Sequence, residues 1–210
     1  MDWCQVDAES QVPESVDSAK DVLSILSTVS ANHKVETLAT TLSQLRRWMG
    51  SDLAEVEAGL AAIEHRDTPV HDSARHLLSQ KGKRLRPLCV ALAARVGSGF
   101  GATARELAIA VELVHSATLL HDDVIDLGDK RRGVDTARVI YGNAGSIYAG
   151  DWLLVDALRR IQRVGIPGLL DKSLSVLHEI LEAEALQLAN RGNVRGTVAD
   201  YFRIVEGKTA

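Results

Sequence analysis

The stretch Val111-Glu112-Leu113-Val114-His115-Ser116-Ala117-Thr118-Leu119-Leu120-His121-Asp122-Asp123-Val124-Ile125-Asp126 decides how this chain is read. It closes a mostly apolar run that begins at Ala104, and the run is too long and too rich in Ala and Leu for a strand. The run ends in three carboxylates within five residues, and Asp129, Lys130, Arg131, Arg132 and Gly133 follow. On a helix, Asp122 and Asp126 share a face, with Asp123 beside them. Like charges at that spacing repel by roughly 0.2–0.5 kcal/mol per pair. At the end of a helix they also meet the negative pole of its dipole. A divalent cation with oxygen ligands removes both conflicts, and Mg²⁺ combines one or two carboxylates with water and phosphate oxygens. The plain alternative is a solvated acidic turn, which the long apolar run before it disfavours.

The rest of the chain supports helices around this run. Its 210 residues are enough for one sizeable core, with 46% hydrophobic and 25% charged residues. The net charge of −4 carries no nucleic-acid footprint. Aromatics are only 4%, which favours helices over sheets. Cys4 and Cys89 make no disulfide framework, and Cys89 is read as a core residue in an apolar run. The longest apolar candidate for a membrane span, Pro87 to Val96, is short and contains Arg95. With no signal-peptide pattern at the N-terminus, the expectation is a soluble, cytoplasmic protein.

Residues 1 to about 20 read as a weakly ordered tail. Two amphipathic segments lie between Val22 and Trp48, with Leu38, Leu42 and Leu45 on one face. Ser51 and Glu55 suggest a fresh helix start, with Leu53, Val56, Leu60 and Ile63 facing a core. A short helix follows Pro69. Gly82 interrupts it, and an apolar segment opens at Pro87. A helix is expected over Ala144 to Val164, ended by Gly165 and Pro167. Leu170, Leu174, Leu177, Leu181 and Leu188 form one stripe of the next helix, and Val198 to Val205 starts a last one. No strand of period two is evident. The expectation is an all-α bundle with short loops.

Three further features bear on chemistry. Gly82-Lys83-Arg84-Leu85-Arg86-Pro87 puts Lys83 and Arg86 where they can converge on one anion. His115 lies nearly two turns before Asp122, on about the same face. Lys208, with Thr209, stands in the last helix. Taken together they suggest two phosphate sets. One is a metal–carboxylate set with Arg131 available to it. The other is metal-free: Lys83, Arg86, Arg132 and His115.

These residues resemble the trans-isoprenyl diphosphate synthases, the polyprenyl synthetase family. The resemblance rests on an ordered series: Gly82 to Pro87, Asp122 to Asp126, Arg131-Arg132-Gly133, Gly150-Asp151-Trp152-Leu153-Leu154, Glu184-Ala185-Leu186-Gln187 and Lys208-Thr209. It implies a helical bundle around a central cavity, as a homodimer. It implies Mg²⁺ on Asp122 and Asp126, with Asp123 supporting, to hold the diphosphate of an allylic primer (geranyl, farnesyl or longer). Arg131 and Lys208 would assist there, and Gln187 and Thr209 would line the same region. Isopentenyl diphosphate would sit on Lys83, Arg86, His115 and Arg132. The reaction would be head-to-tail condensation to a lipophilic product.

Small residues at Ala117 and Thr118, where short-chain members often carry aromatics, would leave the product tunnel open, as in octaprenyl and solanesyl synthases. A helical turn rises ~5.4 Å, comparable to an isoprene unit, so Val114 and Ala110 would line successive steps. The family's second aspartate-rich motif has no counterpart in these 210 residues. The expectation is therefore a bundle incomplete at the C-terminus: residues 1–50 an extension, and 51–210 the N-terminal portion of a synthase domain. Lys81 and Trp152 depart from the family's usual Gly and Phe. A non-catalytic synthase-like subunit acting through protein association is the alternative. An HD-type phosphohydrolase reading of His121-Asp122 lacks further ligands, and a terpene cyclase would not need Lys83 and Arg86.

Overall fold

The computed structural model describes residues 21–80, 82–193 and 196–209, and of Thr209 only its place in a helix. The expectations for residues 1–20, Cys4 and Lys81 fall outside the described residues. The elements are α1 (Val22–Asn32), α2 (Glu36–Ala61), α3 (Pro69–Ser79), α4 (Leu85–Val96), α5 (Ala102–Ile125), β1 (Lys130–Arg131), β2 (Val134–Asp135), α6 (Ala137–Val164), α7 (Leu169–Ala189) and α8 (Val198–Thr209). The all-α expectation holds. None of these helices is long and apolar enough to cross a membrane.

Helix α5 is the axis of the bundle because its inner face is apolar along its length. Ala108, Ile109, Ala110, Leu113, Ala117 and Leu120 meet Ala149, Leu153, Ala157 and Ile161 of α6, with Val56 and Leu60 of α2 and Ala74 and Leu77 of α3 closing the cluster. The many alanines let the α5 and α6 backbones approach. Gly150 is part of that fit: a Cβ there would collide with the His121 imidazole. Ser146 seals the same seam by donating to the Leu120 carbonyl at 2.8 Å. A second cluster of Leu23, Met49, Leu88 and Ala91 ties α1 and α2 to α4.

Helix ends follow local chemistry. Asp21 caps α1 by accepting from the Ser24 amide at 3.0 Å. Thr68 caps α3, which has Pro69 in its first turn. Gly165, at φ 71°, closes α6.

Several expectations are corrected. No helix starts at Ser51, because α2 runs unbroken through it. Asp52 is buried there and holds Arg95 through bonds of 2.6 and 2.8 Å. Helix α6 begins at Ala137 rather than Ala144 and kinks at Gly142 (φ 79°, ψ 165°), a conformation open to glycine alone. Cys89 is exposed, on the side of α4 opposite Leu88 and Ala91. Of the α7 stripe, Leu170 packs against the core cluster and Leu177 is half-buried. Leu174, Leu181 and Leu188 are exposed, and Ala183 is the buried residue of that helix. A two-residue antiparallel ribbon, β1 with β2, forms where no strand was expected.

Candidate active site: an acidic rim beside a basic pocket

Helix α5 stops at Ile125, and Asp126 is its C-cap. The three acids therefore diverge in environment. Asp122 is half-buried. Burial pushes its carboxyl above the usual range, with the Glu184 and Asp126 carboxylates adding to the effect and Lys208 and Arg131 opposing it. Asp126 is exposed and pairs with Arg191 at 3.0 Å. Asp123 is buried and binds Arg131 through contacts of 2.8 and 3.4 Å. Asp123 is thus a positioning residue for Arg131. Lys208 reaches across from α8 to α7, bonding Glu184 at 2.7 Å and Gln187 at 3.0 Å. The side chain of Thr209 lies outside the described residues.

So Asp122, Asp126, Gln187 and Lys208 come into one neighbourhood, together with Glu184 and Arg191, to which the sequence reading gave no role. The Glu184-Ala185-Leu186-Gln187 motif carried a signal for Glu184, one turn before Gln187. Arg191 follows the end of α7 and carried none. Among the described residues no group of three metal-type ligands converges on one point. The donor set nevertheless fits a hard divalent cation. Carboxylate oxygens are its natural ligands, and the crowding that raises Asp122 is what such an ion would relieve.

The ribbon after α5 aims the two arginines. Lys130 pairs with Asp135 and Arg131 with Val134. Arg132 (φ 52°) and Gly133 (φ 82°) make the turn, a left-handed pair that matches strand twist. Thr136 pins the base of the ribbon by donating to the Gly128 carbonyl at 2.7 Å.

Beyond Arg131 lies a basic pocket of about 180 Å³, lined by Lys83, Arg86, His115, Arg131 and Arg132 among others. All four residues expected in the metal-free set are there. Arg131, expected with the metal set, lines this pocket as well. Among the described residues no carboxylate pairs with Lys83 or Arg86. His115 is held below its usual pKa by burial, then by the Arg86, Arg131 and Arg132 charges, against an opposing pull from Glu112. Between Lys83 and Arg86 the backbone of Arg84 is left-handed (φ 49°, ψ 35°). That turn costs roughly 1–2 kcal/mol for a residue other than glycine. The Arg84 side chain also lines this pocket, and it bonds Glu57 at 2.6 Å and Glu112 at 2.8 Å. A larger cavity of about 860 Å³ lies behind Arg84 between α2 and α3, and it holds none of the expected site residues.

The two expected wall residues part company. Ala117 is 2% exposed and sits inside the core cluster. Thr118 is half-buried on the neighbouring flank, and its hydroxyl donates to the His115 carbonyl at 2.8 Å. His121, beside the acids, pairs with Asp151 at 3.2 Å.

The sequence profile of the polyprenyl synthetase family matches residues 67–210. The chain is similar to heptaprenyl diphosphate synthase component 2 of Geobacillus stearothermophilus, 35% identical over 80% of this chain and 53% of that protein. It is 34% identical to the octaprenyl diphosphate synthase of Escherichia coli, again over 80% of this chain and 53% of that protein. A solved polyprenyl synthase from Caulobacter crescentus, complexed with calcium and isoprenyl diphosphate, superposes with a TM-score of 0.74. It is 35% identical, over 80% of this chain and 52% of that one. The chain therefore spans about half the length of the curated relatives it matches.

Proposed function

Because the chain belongs to the polyprenyl synthetase family, we propose that it carries the two diphosphate-binding faces of an all-trans polyprenyl diphosphate synthase. In this reading an allylic diphosphate binds at Asp122 and Asp126 with Mg²⁺, and isopentenyl diphosphate binds at Lys83, Arg86, His115 and Arg132. The observation that carries it is the double role of Arg131. Its guanidinium is bonded to Asp123 of the acidic rim and also lines the basic pocket. Two diphosphates held at these places would be neighbours.

The Mg²⁺ site supplies charge neutralisation for the leaving diphosphate when filled. This chain's own residues do the rest. Lys208, steadied by Glu184 and Gln187, lies where an ammonium can meet the departing diphosphate. The allylic C–O bond breaks and the isopentenyl double bond supplies the electron pair of the new C–C bond. A proton is then lost to the released diphosphate. The basic pocket holds the second diphosphate without metal, by guanidinium, ammonium and imidazole donors.

The product is long-chain in this reading, with Thr118 on the tunnel flank, and the working assembly is a cytoplasmic homodimer. The exposed apolar residues Ile140, Tyr148 and Val155 of α6 and Leu174, Leu181 and Leu188 of α7 support an apolar partner face. Nothing favours the non-catalytic subunit reading, since both diphosphate faces keep their expected residues. The experiment is calorimetric. Isopentenyl diphosphate should bind in EDTA and farnesyl diphosphate only with Mg²⁺. Metal-dependent binding of both would defeat the assignment.

A further inference from the structure

We propose that Arg84 is a positioning residue that keeps the basic pocket basic, by confining the Glu112 carboxylate so that Lys83 and Arg86 stay available to an anion. The inference rests on the reading of that pocket as a diphosphate site.

Four observations carry it. Glu112 belongs to the pocket lining, where among the described residues it is the acid beside the cations Lys83, Arg84, Arg86, Arg131 and Arg132. It is buried, and among the described residues its Oε2 has no hydrogen-bond partner, so it is a strong unshared acceptor. Its other oxygen, Oε1, is held by Arg84 at 2.8 Å. Arg84 itself is clamped from the far side by Glu57, through bonds of 2.6 and 3.2 Å. Arg84 therefore bridges α2 and α5 across the loop that carries Lys83 and Arg86.

The geometry explains the unusual backbone. The left-handed turn at Arg84 sends its side chain inward to the two acids while Lys83 and Arg86 stay exposed at the pocket. Gly82 completes the device, because a Cβ there would stand only 3.0 Å from an Arg84 guanidinium nitrogen. Without Arg84, the nearest cations for a buried Glu112 carboxylate would be those of the pocket. They would then be paired before any diphosphate arrived. His115, one turn along α5 from Glu112, reports the same balance. Its field comes from Arg86, Arg131 and Arg132 on one side and Glu112 on the other.

The test uses isopentenyl diphosphate titrated calorimetrically into the full chain in EDTA, with His115 followed by NMR. Lys83→Ala is the control on the underlying reading, and binding unchanged in that variant would mean the pocket itself was misassigned. Given that control, Arg84→Met should weaken binding about tenfold, equivalent to ~1.4 kcal/mol, and raise the pKa of His115. Adding Glu112→Gln to Arg84→Met should restore most of the affinity and lower the His115 pKa again. A brace that only holds the loop in place would give no such rescue. Unchanged binding in Arg84→Met, or a double variant no better than the single, overturns the proposal. Should Arg84→Met not fold, Glu112→Gln alone decides: binding equal to or tighter than the parent supports confinement, and weaker binding overturns it.

Discussion

The acidic rim and the basic pocket lie on either side of one arginine, yet they are built on opposite plans. In the rim each acid meets protein cations: Asp123 with Arg131, Asp126 with Arg191, and Asp122 within reach of Lys208. Asp122 is still raised, by burial first and then by the Glu184 and Asp126 carboxylates. Among the described residues, the pocket cations Lys83 and Arg86 have no acid partner, and the acid of the pocket lining, Glu112, is held by Arg84. The difference teaches what each side is prepared for. The rim is an acid-rich site that a divalent ion would settle, and the pocket is a cationic site that an anion would settle directly.

Arg131 is where this contrast can be broken most severely. Arg131→Gln removes a guanidinium shared by both sides and leaves the buried Asp123 unpaired. Loss of that pairing should cost about 1–3 kcal/mol of stability, with weaker binding of both diphosphates. Chemical denaturation and calorimetry measure the two effects. Asp123→Asn added to it should recover stability and leave binding weak. Recovery of both would make Arg131 a structural residue alone.

A smaller effect sharpens the rim. Asp122→Asn removes a crowded carboxylate, so in EDTA the variant should melt slightly higher than the parent. Mg²⁺ should raise the melting temperature of the parent and leave the variant unmoved. An equal response of both to Mg²⁺ would place the ion elsewhere.

The pocket should also answer to pH. The pKa of His115 is depressed in the folded chain, so its contribution to stability is present above its unfolded value near 6.5 and is lost as pH falls through the depressed value. A bound diphosphate offsets the Arg86, Arg131 and Arg132 charges and lifts that pKa. Binding should then take up protons as pH falls from the ordinary histidine value of about 6.5 toward the depressed value of the free chain. Calorimetry in two buffers of different ionisation enthalpy reads the uptake, and His115→Gln should reduce it. Identical uptake in both proteins would assign it to another group.

The smallest effect on binding belongs to Thr118. Thr118→Phe should leave both diphosphate affinities within about twofold, well under the ~1.4 kcal/mol of a tenfold change, and shorten the product in any active form of the enzyme. Ala117→Phe should instead destabilise the fold, because that position is packed in the core, at a typical overpacking cost of about 1–3 kcal/mol. Equal stability of the two variants would remove the distinction between them.

The bundle, the acid stretch and the basic cluster were legible in the sequence because periodicity and charge are local. The α5 run, the short helix after Pro69 and the grouping of Lys83 with Arg86 needed no tertiary knowledge. What was missed depended on distant partners. Ser51 looked like a helix start, and the buried role of Asp52 beside it was hidden because its partner, Arg95, is remote in sequence and close only in the fold. Glu112 and Arg84 received no role from the sequence, and only the packing of α2 and α4 against α5 makes them a buried pair. Cys89 and the α7 leucines carry apolar character that says nothing about which side of a helix is covered. The ribbon arises from the turn at Arg132 and Gly133, too short to leave a periodic signal.

The central claim is that one face binds diphosphate through metal and the other without it. The most direct measurement is a crossed titration by calorimetry. The parent chain, Lys83→Ala and Asp122→Asn would each meet isopentenyl diphosphate in EDTA and farnesyl diphosphate in Mg²⁺. The account predicts that Lys83→Ala loses the first ligand and keeps the second, while Asp122→Asn does the reverse. Equal losses of both ligands in both variants would contradict it.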